Sequence, residues 1–296
     1  MRLAAYGVQT EKGTLPSAYE YIPNVTSINL TPDVGVLIEH VITDRLTVVA
    51  GPGGIKAGGR IETVISTTNL KQLLDALFLK EPSDAGDGST YHVWQYSPWN
   101  TGDTLRYFTF AQMWDSGHGL VVGDAAVNSL ELRFEGNELA RATADVIGGL
   151  VQTDTVTASG TYTESAWGFH HVTMLTIDLT PVKATSARIT FENNIADDYF
   201  ILGSRNLADI LPGEFNVEIE LNLKPPDFNA LSKYLNQPDP VVVTVTVEKD
   251  SNNKLEIGGS AYITSWESEI SGGEYPSSRV RLRIAQNLTV KLTQPY

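Results

Sequence analysis

The chain has 296 residues, of which 35 are acidic and 21 basic, giving a formal net charge of −14. That length exceeds one ordinary core of roughly 150 residues, so two domains are expected, and the acidic balance argues against sequence-reading nucleic-acid binding because phosphates are repelled. With no cysteine, disulfides, thiolate metal sites and cysteine nucleophiles are excluded. No apolar run reaches the roughly 18 residues of a membrane span.

Residues 1–24 hold no period; Gly7, Gly13, Pro16 and Pro23 interrupt three tyrosines, Tyr6, Tyr19 and Tyr21. They read as an N-terminal arm, with the tyrosines as docking groups of large apolar area and a polar tip. The opening residues carry too short an apolar run for a signal peptide, so synthesis without export is expected. Val25–Leu30 alternates and Leu46–Val49 is β-branched, both strand patterns. Gly51–Gly54 and Gly58–Gly59 predict a surface loop. A strand from Gly59 and a helix over Leu70–Leu79 follow, then a loop of turn formers over Glu81–Ser89. Tyr91–Tyr96, Leu105–Phe110 and Leu120–Val122 read as strands. Over Asn128–Phe134, Leu130, Leu132 and Phe134 alternate with Glu131 and Arg133, as a half-buried antiparallel strand requires. Gly136-Asn137 turns the chain, and Ala140–Ile147 returns as the partner strand.

Residues 150–163 are rich in threonine and poor in bulky apolar groups, which marks a domain boundary. Beyond it, Met174–Leu179 and Ala187–Phe191 read as strands. Phe215, Val217, Ile219, Leu221 and Leu223 then alternate with Glu214, Asn216, Glu218, Glu220 and Asn222, the cleanest amphipathic strand in the chain. Pro225 and Pro226 stop it, and a helix to Leu235 carries Asp227 in its first turn, where a carboxylate suits the dipole. Val241–Val247, Leu255–Ile257, Tyr262–Trp266, Arg279–Ile284 and Leu288–Leu292 complete a β-rich half. The strand–helix phrase Gly59–Leu79 returns at Gly213–Leu235, with Gly59 on Gly213, Ile61 on Phe215, Ile65 on Ile219, Leu74 on Phe228, Ala76 on Ala230 and Leu77 on Leu231. The expected fold is mainly β: an arm over 1–24, then two tandem antiparallel sandwich or barrel domains over 25–150 and 151–296, each with one short helix.

Candidate chemistry is sparse. His40, His92, His118, His170 and His171 lack metal-ligand spacing. Asp115-Ser-Gly-His118 lacks the frame of a nucleophile elbow. Asp84–Gly88 matches a calcium loop only loosely, without the alternating ligands or closing glutamate, and no phosphate-binding loop ends in Lys-Ser or Lys-Thr. Glu214, Glu218 and Glu220 lie in a row on one strand face, whereas a glycosidase needs carboxyls across a cleft. Either an ordinary solvated face or a lumen-lining surface fits that row.

The phrases at Ser186–Asn194, Gly213–Leu235 and Val241–Leu292, with a related one at Val127–Gly136 followed by Ala140–Gly149, resemble the tail tube proteins of long-tailed bacteriophages. The resemblance spans roughly residues 25–149 and 172–292. It implies a structural, non-catalytic protein without cofactors, whose six-fold rings stack into a hollow, acidic-bored tube. Two copies of the domain in one chain would make the ring a trimer with pseudo-six-fold symmetry. It further implies that Arg60–Thr67 and Glu214–Leu223 line the bore, with Glu62, Glu214, Glu218 and Glu220 facing it. Stacking is expected from the arm, from Gly51–Gly59 and from the C-terminal segment, through Tyr6, Tyr19, Tyr21 and Tyr296. The implied partners are further copies, a tape measure protein, tail-terminator and baseplate proteins, and double-stranded DNA passing without sequence-specific contact. The implied location is the virion tail, after synthesis in the host cytoplasm. Two competing readings are a baseplate or distal tail ring and a carbohydrate-binding β-sandwich using Trp94, Trp99, Trp114, Trp167 and Trp266.

Overall fold

The computed structural model describes residues 3–40, 48–86, 90–114, 117–161, 163–236, 239–269 and 276–295. Strands β1 (Leu3–Val8), β2 (Tyr19–Tyr21), β3 (Val25–His40) and β4 (Val48–Val64) precede helix α1 (Thr67–Phe78). Then come β5 (Ser83–Asp84), β6 (Tyr91–Tyr96), β7 (Phe108–Met113), β8 (His118–Glu135), β9 (Arg141–Thr155) and β10 (Ala158–Ser159). The second half holds β11 (Val172–Ile177), β12 (Thr180–Pro181), β13 (Ala184–Glu192), β14 (Asn216–Leu223), α2 (Phe228–Leu235), β15 (Val241–Asp250), β16 (Asn253–Glu269) and β17 (Ser277–Pro295). The chain is mainly β with two short helices, as its alternating apolar pattern predicts.

Helix α1 starts one turn before the expected Leu70. Ser66 is extended at the N-cap, and its N–H donates to the Asn69 Oδ1 at 3.0 Å. Asn69 also donates to the carbonyls of Pro23 and Val64, tying the first turn to the preceding strand. Leu79 ends the helix in the left-handed region, at φ 58°, with its N–H on the Asp75 carbonyl. Leu70, Leu73, Leu74, Leu77 and Phe78 are buried, and this apolar stripe seats the helix on the sheet. Helix α2 begins only at Phe228, after both prolines.

Pairing follows the same order in both halves. In the first, antiparallel neighbours run β3–β4–β9–β8–β7–β1–β2. In the second they run β13–β14–β17–β16–β15–β11–β12. Along the middle of these strands the register agrees residue by residue. Ile28 faces Ile61, which faces Ala144 of β9, which faces Leu130 of β8. In the second half Ala187, Leu221, Val280 and Trp266 occupy those four places. A β-bulge between Val25 and Ser27 of β3 has its counterpart between Ala184 and Ser186 of β13, and one between Val127 and Ser129 of β8 has its counterpart between Ile263 and Ser265 of β16. This register places Gly59 opposite Leu30 and Val146 where Ile219 lies opposite Ile189 and Leu282, so Gly59 corresponds to Ile219 and not to Gly213. A side chain at Gly59 would collide with the Asn29 carbonyl, which explains the glycine without any repeat.

The halves do not close separately. One edge of β8 is divided: Gly119–Ala125 pairs with β7, and Ser129–Glu135 pairs with β13 of the second half. Strand β17 is divided likewise, Ser278–Ile284 pairing with β14 and Val290–Pro295 with β6 of the first half. The main core draws on both, from Ile28, Leu73 and Phe110 to Ile219, Val245 and Leu282. Residues 150–155, read from sequence as part of a boundary, continue β9. Asn193 joins the halves further: its amide is buried and donates to the carbonyls of Leu77 at 2.6 Å and Val127 at 2.9 Å.

Two local expectations are corrected. Gly51–Gly59 is not a loop; it lies within β4, paired with β3 and, from Ala57, with β9. The absent side chains let the two strands approach, since a Cβ on Gly53 would lie 2.7 Å from Gly35 backbone. Residues 3–8 are not a free arm; β1 sits between β2 and β7, with Ala4, Ala5 and Tyr6 buried.

Replacing Asn193 with alanine strips two buried carbonyls of their donor. The expected loss is about 2–4 kcal/mol in a denaturant titration of the unassembled chain. A change under about 0.5 kcal/mol, the size of an ordinary surface substitution, would remove Asn193 from this role.

Candidate functional site

Eight strands form a continuous ribbon in the order β3–β4–β9–β8–β13–β14–β17–β16. Alternation gives the ribbon two faces. One carries Ile61, Ala144, Leu132, Ile189, Ile219 and Leu282, all buried. The other is polar and holds the acidic row singled out in the sequence.

That row is not an unbroken acidic wall, because β17 lays arginines across it. Glu218 lies opposite Arg283, Glu220 opposite Arg281 and Asn222 opposite Arg279. The Arg281 Nε donates to the Glu220 carboxylate at 2.8 Å, with Arg279 at 3.7 Å from the same group. Arg279 also reaches Glu267 of β16 at 3.7 Å. Across the other half, Arg60 of β4 bonds Asp145 of β9 at 3.0 Å, and the Ser129 hydroxyl donates to the same carboxylate at 2.9 Å. Arg188 of β13 approaches Glu131 of β8 at 3.6 Å. The bonded carboxylates hold the Arg60 and Arg281 guanidinium groups above their ordinary pKa. Such lattices fix side chains in place more than they stabilise the fold, because water screens each pair.

Each expected lumen residue can be placed. Glu62, Glu218 and Glu220 sit on the polar face of β4 and β14. Glu214 precedes β14 and is largely exposed, with the Arg283 guanidinium 2.8 Å away. The sequence displayed Arg279, Arg281 and Arg283 at every second position. It did not reveal that they lie beside the glutamates, because that register joins segments some sixty residues apart.

The tyrosines are less available for stacking than expected. Tyr6 is 4% exposed, its ring stacked on Phe108 at 5.7 Å, and Tyr19 is 7% exposed. Their hydroxyls are driven up in pKa by burial, Tyr19 to about 12. Tyr6 therefore serves the core of its own chain. Tyr21 is half-buried on β2, and Tyr296 lies outside the described residues. No tryptophan platform is assembled: Trp167 is fully buried, Trp94, Trp99 and Trp266 pack against the core, and Trp114 stands exposed by itself. His92 bonds Asp84 at 2.5 Å. Asp87 and Gly88 of the loose calcium-loop match, and Asp115-Ser116, lie outside the described residues. Among the described residues, no group of three or more His, Cys, Asp or Glu side chains could hold a metal.

A cleft of about 620 Å³ is lined by Tyr6, Lys71, Asp75, Trp94 and Arg106 among others. Its polar groups bind one another. Lys71 bonds Asp75 at 2.6 Å and lies over the Trp94 ring at 4.6 Å, while the Tyr96 hydroxyl donates to Asp75 at 2.9 Å. Burial raises the pKa of Asp75, and Lys71 draws it partly back. Nucleophile, base and oxyanion donors are not set around a common point there.

Fold and site together define a mainly-β protein whose distinctive surface is a long, ion-paired sheet face. The family model for phage tail tube proteins matches residues 2–289, nearly the whole chain, and the chain belongs to that family. A comparison with curated proteins returns no match. The family makes it a structural component of the virion tail and points to a protein that is not an enzyme.

Asp75 gives a pH prediction. Its native pKa lies above the unfolded value, so its contribution is present in full below about pH 4 and is lost as pH rises through the native pKa. The stability of the wild type relative to Asp75→Asn should therefore fall as pH rises above about 4 in urea titrations. A rise over that range would mean that Lys71, not burial, governs the group.

Proposed function

We propose that three copies of this chain close into a ring of pseudo-six-fold symmetry, and that such rings stack into the hollow tube through which double-stranded phage DNA leaves the particle. The observation that carries this reading is the repetition of one seven-strand pairing order in both halves, with two bulges at matching places. Two quasi-identical modules in one chain are what a duplicated tube domain would leave. Cyclic head-to-tail contacts between such modules close a ring.

In this reading the polar face of the ribbon lines the bore, and α1 and α2 lie on the far side of the sheet. DNA would then meet arginines already engaged by carboxylates, which leaves little free positive charge for phosphates to grip. The bore would be polar and internally neutralised instead of plainly acidic. Stacking would fall to the outer part of the β3–β4 hairpin, beyond the reach of β9. There Val34 and Val36 are exposed. The loop over Tyr199–Leu202 is exposed beside it, and the Phe200 ring stands over Gly54. Ile201 and Leu202 offer apolar area that a neighbouring ring could cover. Tape measure, terminator and baseplate proteins would meet the ends of the tube, assembled after synthesis in the host cytoplasm.

Native mass spectrometry of isolated rings should give three chains; six would refute the duplicated-module ring. A Leu202→Asp, Ile201→Asp variant should keep rings but shorten or abolish tubes in micrographs. Tubes of unchanged length would move the stacking contact elsewhere.

A further inference from the structure

On the polar face of the ribbon, one row breaks the matching of opposite charges. Arg133 of β8 lies directly opposite Arg141 of β9 on one side and directly opposite Arg188 of β13 on the other. Their buried neighbours Leu132, Phe134, Ala142 and Ile189 fix all three on the polar face. Like charges set directly opposite in antiparallel strands are destabilising, and here that happens twice in succession. The nearby carboxylates do not cancel it. Glu135 holds Arg133 at 2.6 Å, and Glu131 approaches Arg188 at 3.6 Å. Glu220 lies opposite Arg188 but is held by Arg281 at 2.8 Å. Arg141 is exposed and has no carboxylate partner among the described residues.

The fold does not require this row. By the matched registers, Arg133 and Arg141 correspond to Glu269 and Ser277, which are directly opposed in β16 and β17. The second half therefore builds the same strand pair without two facing cations. In a chain of net charge −14, the row gathers positive charge at one place against the general balance.

We infer that Arg133, Arg141 and Arg188 form a phosphate-binding row that contacts the backbone of double-stranded DNA without reading its sequence. This rests on the bore-lining role proposed above for the polar face, and it names a place where that face holds DNA. The guanidinium fork of N–H donors matches the oxygens of a phosphodiester. Strands spaced about 4.8 Å apart set the three arginines across about 10 Å. That is room for successive phosphates of one strand, which carries a charge every 3.4 Å or so, about one per base step. An anion between Arg133 and Arg141 also relieves the repulsion that the strand pairing leaves in place. Glu135 and Glu131 keep the contact weak, because the guanidinium groups they hold must exchange a carboxylate for a phosphate. A weak contact to phosphates alone carries no sequence information, so it slows passing DNA without stopping it.

The test uses the unassembled full chain, whose ribbon face is open to solvent. Binding of a short labelled DNA duplex is followed by fluorescence anisotropy at low salt, where screening is weak. Affinity should fall as salt rises and be equal for unrelated sequences. Arg141→Gln should weaken binding several-fold and make the salt dependence shallower by about one counterion. Lys233→Gln removes the same charge from α2, which packs on the core side through Ala230, and should leave both unchanged. Arg141→Gln should also keep the wild-type urea midpoint; a lowered midpoint would return Arg141 to the fold. Equal losses from the two variants, or no binding by the wild type, would overturn the row. Full displacement of the duplex by inorganic phosphate at matched ionic strength would assign the arginines to the free ion instead. Arg141-dependent binding of polyglutamate, with none of DNA, would assign them to an acidic protein. None of these readouts depends on the number of chains in a ring. Their failure removes the row alone, whereas a count of six chains removes the trimer and not the row.

Discussion

Every strand must find hydrogen-bonding partners for its N–H and C=O groups along both edges, and β8 and β17 are longer than any single neighbour can serve. The rest of the architecture follows from how their surplus is used. The first part of β8 is covered by β7 of its own half, and the remainder can be satisfied only by a strand from elsewhere, which within the chain is β13. Strand β17 borrows β6 in the opposite direction. These two exchanges fuse the halves, merge their cores and turn two modules into one curved ribbon.

The ribbon's two faces have different physical tasks. The apolar face carries the area burial that stabilises the fold, with α1 adding a stripe of leucines against the sheet. On the polar face, arginines from β4, β13 and β17 meet carboxylates from β9, β8 and β14. Pairs of this kind contribute little net stability when exposed. Their effect is to specify register and to hold the surface charge locally balanced, although the chain as a whole is strongly acidic.

Of the strands, those with strict alternation were legible from the chain alone: Asn128–Phe134, Phe215–Leu223 and Val241–Val247 all lie in or beside strands found in the structure. The glycine-rich stretch at 51–59 was misread because glycine signals a turn when seen in isolation. Here it permits a close strand approach that only the partner strand reveals. The opening segment was misread for a related reason. Its six-residue strand is too short to show a period, and its burial comes from β7, a hundred residues away. Matching glycine to glycine set Gly59 against Gly213, whereas the hydrogen-bonded neighbours of the two strands set Gly59 against Ile219.

What the sequence by itself determined was the class of structure and the location of its apolar stripes, because a period of two or of 3.6 is a local property that burial of one face imposes on consecutive residues. It also held the phrasing of the phage tail tube family across most of the chain. Only the tertiary structure decided which strand lies beside which. It seated the arginines of β17 against the glutamates of β14, moved Tyr6 from the surface to the core, and left β3 and the end of β16 at the two margins of the ribbon. Pairing between distant segments is set by the joint fit of register, bulge and facing side chains, and no stretch of the chain carries that information without its partner.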